Sequence, residues 1–589
     1  MPSQATNTAR LLTAGIICFT LLSACSKPAP EREDRDPEAA TGMTTQTEAS
    51  SQRFMVSAAN RYATDAGAKI LAKGGNAIDA AIAVQMVLNL VEPQSSGIGG
   101  GAFLLYWDQA KKELVTFDGR ETAPSDVQPN LFRHPDGKPM KWIEAVVGGK
   151  SVGVPGVLKM FEQDHQAYGS LPWESLFEDA ITLSEQGFSV SPRLEKLVKA
   201  DINPGLKRAG AANDYFFPNQ KAIVAGDKLT NPKLAKALHK IAKEGTKAFY
   251  RGDIAKHIIE AVNGHAGNPG TLSMADLGAY QAKIRPPVCA AYRSYRICGM
   301  APPSSGGLTV IQTMQILSHF DLPAMKPLSI ESIHLITQAQ RLAFADRNLY
   351  IADNDFVAVP TAALLDPAYA LSRAKLINPN QDMGKAQAGN IKGATVWTTS
   401  TSPELPSTSH YSIIDQQGNG VSVTTSIEMA FGSSLMVDGF LLNNQLTDFS
   451  FASEANGSQI ANSVQAGKRP RSSMAPTMVF DKNDQLIMLI GSPGGSRIIN
   501  YVIETLVALL DWKLSIQHAI NLPHFGNRNG ATDLEQNSIL EGMKEQLEAM
   551  GHIVNIRDLN SGLHGITIDS KGLLKGGADP RREGFSKGS

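Results

Sequence analysis

The chain has no surplus of either charge. Its 589 residues include 55 lysines and arginines and 56 aspartates and glutamates, so the formal net charge is −1. Proteins that hold nucleic acids or anionic membrane surfaces do so through a basic surplus, which is missing here. The composition therefore predicts no nucleic-acid partner.

Sequence motifs for metal and serine chemistry are also missing. HExxH is absent, and the 12 histidines contain no pair spaced four residues apart that would indicate a zinc site. The GxSxG motif of α/β-hydrolases is absent, although a Ser-His-Asp triad built from distant residues stays open. GGKS at 148–151 is not a phosphate-binding loop, because Glu144 stands where the first glycine is required. We expect no metal and no cofactor.

Long apolar runs are scarce. The run LLTAGIICFTLLSA after Arg10 is shorter than the ~20 residues that span a bilayer, and it is typical of a secretory signal. It ends in LSAC at 22–25, which resembles a bacterial lipoprotein signal. Residues 1–25 are therefore predicted to be a signal peptide, with lipid attached to Cys25. A plain signal peptide with an incidental cysteine is the alternative.

The segment after the signal is predicted to be a tether. Residues 26–53 are rich in Pro, Glu, Asp, Thr and Ser and contain few apolar residues, so they form no core of their own. Ser26 after the cysteine favours, by analogy with lipoprotein sorting, the outer membrane over the inner one. The sequence thus predicts a periplasmic protein whose membrane attachment is by the lipid anchor only.

Cysteine is rare, at four residues. Cys18 is predicted to leave with the signal and Cys25 to carry lipid, and export permits disulfides between the remaining two. In VCAAYRSYRIC a two-residue turn at 293–294 would place Cys289 opposite Cys298 at a non-hydrogen-bonded pair. A cross-strand disulfide is one prediction. Two free buried thiols are the other, because Arg-Ser is a poor hairpin turn.

The pattern along the chain predicts a layered α/β sandwich. Residues 62–91 read as two helices, with Asn76 capping the second. SSGIGGGAFLLYWD and ELVTFDGRE follow as a glycine-rich loop and two strands, and 155–380 is mostly helical. After a polar stretch at 379–407, the strands HYSIID, GVSVTTSI, GFLLNN, TMVFD and QLIMLIG dominate, followed by the helix NYVIETLVALL.

A hydroxyl cluster, PSTSH, lies between the polar stretch and the first of these strands. A threonine hydroxyl is a weak nucleophile that needs a base, and one solution is to make it the first residue of a chain beside its own α-amine. That arrangement requires cleavage of the peptide bond before Thr408. The alternative is that Thr408 simply begins a strand, as many hydroxyl residues do.

GSPGGS at 491–496 lies between an apolar strand and a helix. Backbone amides at a helix N-terminus favour negative charge, and glycines let a substrate approach the backbone closely. Gly494 and Gly495 are therefore candidates for an oxyanion hole. A tight strand-to-helix turn with no further role is the other interpretation.

Several motifs together resemble the gamma-glutamyltranspeptidase family. GNAIDAAIA, SSGIGGGAF, FDGRETAP, APPSSGG, TSHYS, NNQLTDFS, GKRPRSSMAPT and GSPGGSRI occur in the order of that family, over residues 60 to 580. The resemblance implies an N-terminal-nucleophile hydrolase fold of the α/β class, with an αββα core. It also implies a precursor that cuts itself between Ser407 and Thr408 into a heterodimer of a large subunit (54–407) and a small subunit (408–589).

The resemblance further implies an activity. Thr408 would be the nucleophile that attacks the γ-carbonyl of glutathione or another γ-glutamyl compound and forms an acyl-enzyme. Water or an acceptor amino acid or peptide would then release the glutamyl group, which makes the chain a gamma-glutamyltransferase and glutathione hydrolase that acts in glutathione catabolism.

The family's motifs assign roles to further residues of this sequence. Ser426 would support the nucleophile, and Gly494 and Gly495 would form the oxyanion hole. The substrate-binding residues would be Arg120, Ser472 and Ser473 on the α-carboxylate, and Glu428, Gln445 and Asp448 on the α-ammonium.

Two departures leave the substrate open. Glu428 stands where many relatives have Asn, and Thr447 replaces an acidic residue that often precedes the Asp. A glutaryl or cephalosporin acylase of the same family is the nearest alternative, although its substrate lacks the α-ammonium. A non-catalytic binding lipoprotein, or a precursor that stays uncut, are further alternatives.

Overall fold

The computed structural model describes residue 1 and residues 44–395, 397–400, 407–455 and 457–589. The predicted lipidation site at Cys25 and most of the predicted signal peptide and tether lie outside these ranges. None of the helices within them is long and apolar enough to cross a membrane.

Helices surround the core on both sides. The α-helices of the described residues are α1 (Arg61–Ala72), α2 (Ala77–Val91), α3 (Trp142–Val146), α4 (Val157–Tyr168), α5 (Glu178–Gln186), α6 (Pro192–Lys199), α7 (Ala211–Phe216), α8 (Pro232–Glu244), α9 (Lys247–Tyr250), α10 (Asp253–Asn263), α11 (Met274–Ala279), α12 (Gly306–Leu317), α13 (Ile330–Tyr350), α14 (Thr361–Leu364), α15 (Pro367–Ala374), α16 (Ile498–Leu510), α17 (Ile516–Asn521) and α18 (Lys544–Ala549).

Strands form the two central layers and a few small sheets. They are β1 (Ala49–Ser51), β2 (Met55–Ala58), β3 (Gly101–Asp108), β4 (Glu113–Gly119), β5 (Phe188–Ser189), β6 (Lys228–Leu229), β7 (Lys283–Arg285), β8 (Val288–Tyr292), β9 (Tyr295–Gly299), β10 (Ser409–Ile414), β11 (Gly420–Ser426), β12 (Met436–Val437), β13 (Phe440–Leu441), β14 (Glu454–Ala455), β15 (Ser458–Gln459), β16 (Thr477–Phe480), β17 (Leu486–Gly491), β18 (Phe525–Asn527), β19 (Thr532–Glu535), β20 (Val554–Arg557), β21 (His564–Ile568), β22 (Leu574–Ala578) and β23 (Phe585–Gly588).

Two seven-stranded sheets make the middle of the molecule. The first sheet has the order β23-β2-β10-β11-β3-β4-β7, and the second has the order β1-β22-β21-β17-β16-β9-β8. The pairs within both sheets are antiparallel. Each sheet combines strands that precede residue 407 with strands that follow it, so two chains cut at that point would share both sheets.

Side-chain alternation along β3 shows how the layers stack. Phe103, Leu105 and Trp107 belong to the apolar cluster shared with the second sheet and with α12, α13 and α16. Leu104 and Tyr106 belong to the other large cluster, which contains α1, α2 and α4. Because successive residues of a strand point to opposite faces, the first sheet lies between a helical layer and the second sheet. The architecture is the predicted αββα sandwich.

The helical layer on the first sheet begins as the sequence predicts. The side chain of Asn76 accepts hydrogen bonds from the N–H groups of Ile78 and Asp79, and the Asp79 carboxylate caps in return. This reciprocal cap fixes the start of α2. Every residue of α2 is buried, as expected for a helix that is apolar nearly all round.

Residues 44–53, which the sequence assigns to the tether, belong to the folded body. The N–H of Thr44 donates to Pro580 O at 2.9 Å, and β1 pairs with β22. The polar composition of this stretch conceals its pairing, because backbone hydrogen bonds to a sheet edge do not depend on apolar side chains.

The cysteine hairpin has the predicted register. Cys289 lies opposite Cys298 across β8 and β9, and the two sulfur atoms are joined in a disulfide. Arg293, the first turn residue, has a φ of 51°. A left-handed conformation at that position suits a tight hairpin turn, even though Arg is an uncommon residue there.

Candidate active site

Thr408 lies immediately before β10, at the middle of the first sheet. β10 pairs with β2 on one side and with β11 on the other, which holds the start of the strand from both sides. The register of Ser409 opposite Thr425 brings the next residue of β11, Ser426, close to Thr408. The Thr408 Oγ1 lies 3.4 Å from Ser426 Oγ.

The carbonyl oxygen of Ser407 accepts two hydroxyl hydrogen bonds. Thr408 Oγ1 donates to it at 2.5 Å and Ser426 Oγ at 2.8 Å. Two donors on one carbonyl stabilise negative charge on its oxygen, and this favours attack on its carbon. The peptide bond between Ser407 and Thr408 is therefore polarised, and the nearest hydroxyl belongs to Thr408 itself.

Ser426 is held by the turn that follows it. The N–H of Glu428 donates to Ser426 Oγ at 2.8 Å, and Glu428 has a φ of 76°. A left-handed backbone is uncommon for a residue other than glycine, and such conformations concentrate at functional sites. The predicted site residue Glu428 thus lies beside the predicted nucleophile.

Two glycines of the loop before β3 pack directly against backbone atoms beside the site. A Cβ at Gly99 would lie 2.1 Å from Leu441 O, and a Cβ at Gly100 would lie 2.1 Å from Ser426 O. Only glycine allows the backbone to approach another backbone so closely. The loop at 95–101 therefore fixes the end of β11 and, with it, Ser426.

A buried ionic group forms the opposite side of the site. Arg120, which follows β4, is 1% exposed and donates from Nη2 to Asp448 Oδ2 at 2.6 Å. Gln445 Nε2 donates to the same carboxylate oxygen at 2.6 Å. Gln445 uses its amide nitrogen for this bond, so its carbonyl oxygen is able to accept a hydrogen bond from a ligand. The three predicted residues are brought together.

Glu121 is a neighbour of this group that the sequence reasoning missed. It is fully buried, and its Oε2 lies 3.7 Å from Arg120 Nη1. Burial raises the pKa of Glu121 to about 8, although the Arg120 guanidinium opposes the rise. Glu121 is therefore mostly protonated at neutral pH, so it leaves the positive charge of Arg120 largely available to Asp448 and to an anionic ligand.

Ser472 and Ser473 are positioned by a residue from the other helical layer. Arg347 on α13 donates from Nη2 to Ser473 Oγ at 2.6 Å and from Nε to Ser305 Oγ at 2.8 Å. Ser305 Oγ donates in turn to Ser472 O at 2.7 Å. Because Ser473 accepts from Arg347, its own proton is able to point to a ligand. Arg347 was missed, since nothing in the helix sequence RLAFADR marks it.

The predicted oxyanion loop connects β17 with α16. Gly494 has a φ of 136° and Gly495 a φ of 57°, which explains the glycine pair. Gly495 lines the cavity beside Thr408. Gly494 packs instead against the ring of Tyr501, where an added Cβ would lie 2.7 Å from the nearest ring carbon.

One small cavity joins these groups. Its volume of about 20 Å³ holds one or two water molecules. Met474 and Ile498 line it although the sequence did not single them out. The full lining is Arg120, Ser407, Thr408, Ser426, Glu428, Gln445, Asp448, Ser472, Ser473, Met474, Gly495 and Ile498.

The chemistry available here is nucleophilic attack by a hydroxyl. The contacts of Thr408 Oγ1 described above are to oxygen atoms of Ser407 and Ser426. The described ranges contain no cluster of three or more His, Cys, Asp or Glu side chains that could hold a metal. A threonine without a side-chain base, placed on a polarised peptide bond at a strand start, fits a nucleophile that becomes a chain terminus.

The fold and the site define an α/β N-terminal-nucleophile hydrolase. Residues 63–589 match the sequence model of the gamma-glutamyltranspeptidase family, and the chain belongs to that family. The predicted family and fold class are thereby confirmed.

Three known proteins show the range of this similarity. The chain is 36% identical over 545 residues to the glutathione hydrolase proenzyme of Bacillus subtilis (strain 168), with 91% of each chain covered. It is 33% identical over 545 residues to the Acylase ACY 1 proenzyme of Pseudomonas sp. (strain SE83), covering 91% of this chain and 93% of that one. The crystal structure of cephalosporin acylase from Bacillus halodurans superposes with a TM-score of 0.81 at 26% identity, covering 94% of this chain and 99% of that one.

Proposed function

We propose that this member of the family is a self-processing gamma-glutamyltransferase and glutathione hydrolase. The observation that carries the proposal is the contact of the Thr408 hydroxyl with the carbonyl of the bond that precedes it, at 2.5 Å. The naming of similar proteins as glutathione hydrolase proenzymes supports it.

Self-cleavage would proceed as an acyl shift followed by hydrolysis. The Oγ of Thr408 attacks the carbonyl carbon of Ser407, and Ser426 stabilises the oxyanion through its hydroxyl. The C–N bond breaks, and the nitrogen keeps its proton and takes the hydroxyl proton to become the α-amine of Thr408. Water then hydrolyses the ester to a carboxylate on Ser407 and a free hydroxyl on Thr408.

Turnover would use the same hydroxyl with a new base. The α-amine of Thr408 takes the hydroxyl proton as Oγ attacks the γ-carbonyl of glutathione, and it returns that proton to the departing amine. Gly494 and Gly495 are the proposed oxyanion hole of this step, in which Gly495 is the residue that lines the cavity. Water or an acceptor amine then attacks the γ-glutamyl ester.

The α-amino acid end of the substrate matches the buried ionic group. A carboxylate suits Arg120 with the hydroxyls of Ser472 and Ser473, since a guanidinium and hydroxyl donors bind it by charge-assisted hydrogen bonds. An ammonium suits the carboxylate of Asp448 and the carbonyl oxygen of Gln445. A zwitterion therefore complements a site in which opposite charges already lie 2.6 Å apart.

The cavity size supports the order of the two reactions. A volume of about 20 Å³ does not hold a glutamyl group, and Ser407 forms part of its wall. Departure of Ser407 after cleavage would enlarge the cavity on the side of Thr408. The large subunit (54–407) and the small subunit (408–589) would remain one heterodimer, because both sheets contain strands of each.

A glutaryl or cephalosporin acylase is the second candidate, because the similar proteins include acylases. Such a substrate keeps the carboxylate and lacks the ammonium, so it would bring no cation of its own to the carboxylate of Asp448. The ionic group favours the γ-glutamyl substrate for this reason.

The test compares hydrolysis of a γ-glutamyl anilide and a glutaryl anilide by processed enzyme. We expect kcat/KM to favour the γ-glutamyl substrate at least ~10-fold, and Asp448→Ala to remove most of that preference. Arg120→Lys is the matched control, because it weakens carboxylate binding for both substrates alike. A preference for the glutaryl substrate in the unmodified enzyme would support the acylase instead.

We also propose that the enzyme is held in the periplasm by lipid on Cys25. The LSAC motif and the following polar segment support this location. Mass analysis of the N-terminal fragment from membranes would show diacylglycerol and an acyl chain on Cys25. A mature protein with an unmodified N-terminus would contradict the anchor.

A further inference from the structure

One loop of the N-terminal half runs along the bond before Thr408. The loop at 92–96 follows α2, and its members hold the residues on both sides of Thr408. Ser407 Oγ donates to Gln94 O at 2.7 Å. Ser409 Oγ donates to the carboxylate of Glu92 at 2.8 Å. None of these contacts uses the Thr408 side chain, so its hydroxyl stays on the carbonyl of Ser407.

The third contact on this segment is a guanidinium. Arg582 Nη1 donates to Thr408 O at 3.2 Å, and its Nε donates to Ser561 O at 2.9 Å. The segment 407–409 is therefore fixed at three consecutive residues, through a side chain, a carbonyl and a side chain. The attacking hydroxyl and the attacked carbonyl both lie within it.

Glu92 is a costly residue for this position. It is 1% exposed, and its Oε1 accepts no hydrogen bond within the described ranges, although Arg193 Nε lies 3.7 Å away. Burial raises the pKa of Glu92 to about 7, while Arg193, Arg582 and the bond from Ser409 lower it and Glu583 raises it. A buried carboxyl whose pKa lies near 7 contributes little to the stability of the fold, and such groups concentrate at functional sites.

The orientation of the side chains of β10 explains why the Glu92 carboxyl reaches Ser409. Tyr411 and Ile413 pack in the cluster that contains α2, so odd-numbered residues of this strand face that helix. Ser412 donates to His564 O in the second sheet, so even-numbered residues face the opposite way. Glu92 at the end of α2 therefore meets Ser409 from behind, on the face away from the second sheet.

We propose that Glu92 is a positioning residue for self-cleavage, which through Ser409 holds the 407–409 segment in its reactive conformation. This inference rests on the proposed self-processing at Thr408. Turnover should depend on Glu92 less than self-cleavage does, because a bound substrate is placed by the ionic group of Arg120 and Asp448. In self-cleavage the 407–409 segment is itself the substrate, so no separate binding group corrects its position when it is displaced.

The test measures the rate of self-cleavage in freshly purified precursors by denaturing gel and intact mass. We expect Glu92→Leu to slow cleavage at least ~10-fold, with a smaller loss in kcat per titrated active site and no change in KM. Glu92→Gln keeps an acceptor for Ser409 and should restore part of the rate. Ser409→Ala should match Glu92→Leu.

The pH dependence separates positioning from mere support of the fold. The charged groups around the Glu92 carboxyl are Arg193 on α6 and Arg582 and Glu583 in the C-terminal loop. An ionised carboxylate is the stronger acceptor. The ratio of the unmodified cleavage rate to that of Glu92→Gln should therefore increase from about pH 6 to about pH 8.

Asp346→Asn is the matched control, since it removes another buried carboxyl, one that pairs with Arg373 on the opposite helical layer. It should lower the melting temperature and leave cleavage unchanged. If Glu92→Leu cleaves as fast as the unmodified chain, or is slowed no more than Asp346→Asn, this inference is overturned and the proposed function is not. An unmodified chain that never cleaves would overturn the proposed function and this inference with it.

Discussion

Two buried hydroxyls of this chain have opposite surroundings. Ser561 Oγ lies 2.7 Å from His524 Nε2, and His524 Nδ1 lies 3.0 Å from Glu504 Oε2. This is the spacing of a catalytic triad. Thr408 Oγ1 has no such partner among its hydrogen bonds in the described ranges, which are to oxygen atoms. Residue types alone would select Ser561 as the nucleophile.

The direction of the protons argues against Ser561. Its hydroxyl donates to Asp579 Oδ2 at 2.5 Å, so it can only accept from His524. The imidazole must then carry its proton on Nε2, and Glu504 must donate to Nδ1. Burial raises the pKa of Glu504 and lowers the pKa of His524, which favours these neutral forms. An imidazole protonated on Nε2 cannot remove the proton of Ser561.

Access argues the same way. Ser561 is 0% exposed, whereas Thr408 lines a cavity with charged residues. In the proposed mechanism, therefore, the reactive hydroxyl is the one beside a polarised peptide bond and a polar cavity, and not the one beside a histidine. The Ser561 network instead supports the loop at 491–496, since the neighbouring Gly562 donates its N–H to Ser492 Oγ at 3.2 Å.

The largest effect is expected when each of the two hydroxyl residues, Thr408 and Ser561, is replaced by alanine. Thr408→Ala should abolish self-cleavage and lower turnover of a γ-glutamyl anilide at least ~10³-fold, because it removes the attacking group. Ser561→Ala should cleave normally and keep kcat/KM within about threefold. A gel with intact mass and steady-state kinetics measure both. The comparison is wrong if Ser561→Ala stays uncut or Thr408→Ala is cut before residue 408.

A smaller effect is expected at Ser426. Ser426→Ala should slow self-cleavage ~10- to 100-fold, since one of two donors on the Ser407 carbonyl is lost. Thr425→Val is the matched control, because its hydroxyl on the adjacent residue has no hydrogen-bond partner within the described ranges. Time courses of precursor loss measure both. Equal rates in the two variants would show that Ser426 does not polarise the bond.

Acidification is expected to lower the stability of the fold through buried histidines, and not to act on the hydroxyl of Thr408. Burial lowers the pKa of His552 and His564 from 6.5 to about 4. The unfolded chain binds these protons first as the pH falls, so the contribution of the two neutral histidines to stability is full above about pH 6.5 and is lost toward pH 4. For the fully buried His564 this loss amounts to about 2 kcal/mol near pH 5.

Melting temperatures of the unmodified chain and His564→Gln across this range test the expectation. The variant should show a shallower decline on acidification, while its kcat profile over pH values at which both are folded matches that of the unmodified enzyme. Parallel melting curves would mean that His564 does not carry the linkage.

Local patterns predicted much of the fold. The cap at Asn76, the two strands β3 and β4 and the register of Cys289 with Cys298 are confirmed, because each depends on residues close in sequence. The family motifs located nine of the twelve cavity-lining residues among their assigned catalytic and substrate-binding positions, and Ser407 as the cleavage site. Their roles remain predictions.

Contacts between distant residues escaped prediction. Arg347 holds Ser473 across 126 residues of sequence, and Glu92 meets Ser409 across 317. His524, Glu504 and Ser561 come together only when α16, β18 and the loop before β21 are packed. Such partners follow from the assembled layers, and no spacing rule of a single helix or strand specifies them.

The smallest effect is expected for Glu504→Gln, and it tests the comparison most sharply. A triad needs an ionised carboxylate beside the imidazole, and its amide replacement would impair catalysis severely. A protonated Glu504 already donates to His524 Nδ1, and a glutamine amide can donate in the same way. The replacement should therefore leave self-cleavage and kcat/KM within about twofold and cost about 1 kcal/mol of stability, from the weakened bond to the N–H of Phe525. His524→Gln is the control for losing the network, and it should lower the melting temperature further at unchanged kcat. A 100-fold loss of activity in Glu504→Gln would make Ser561, and not Thr408, the hydroxyl to pursue.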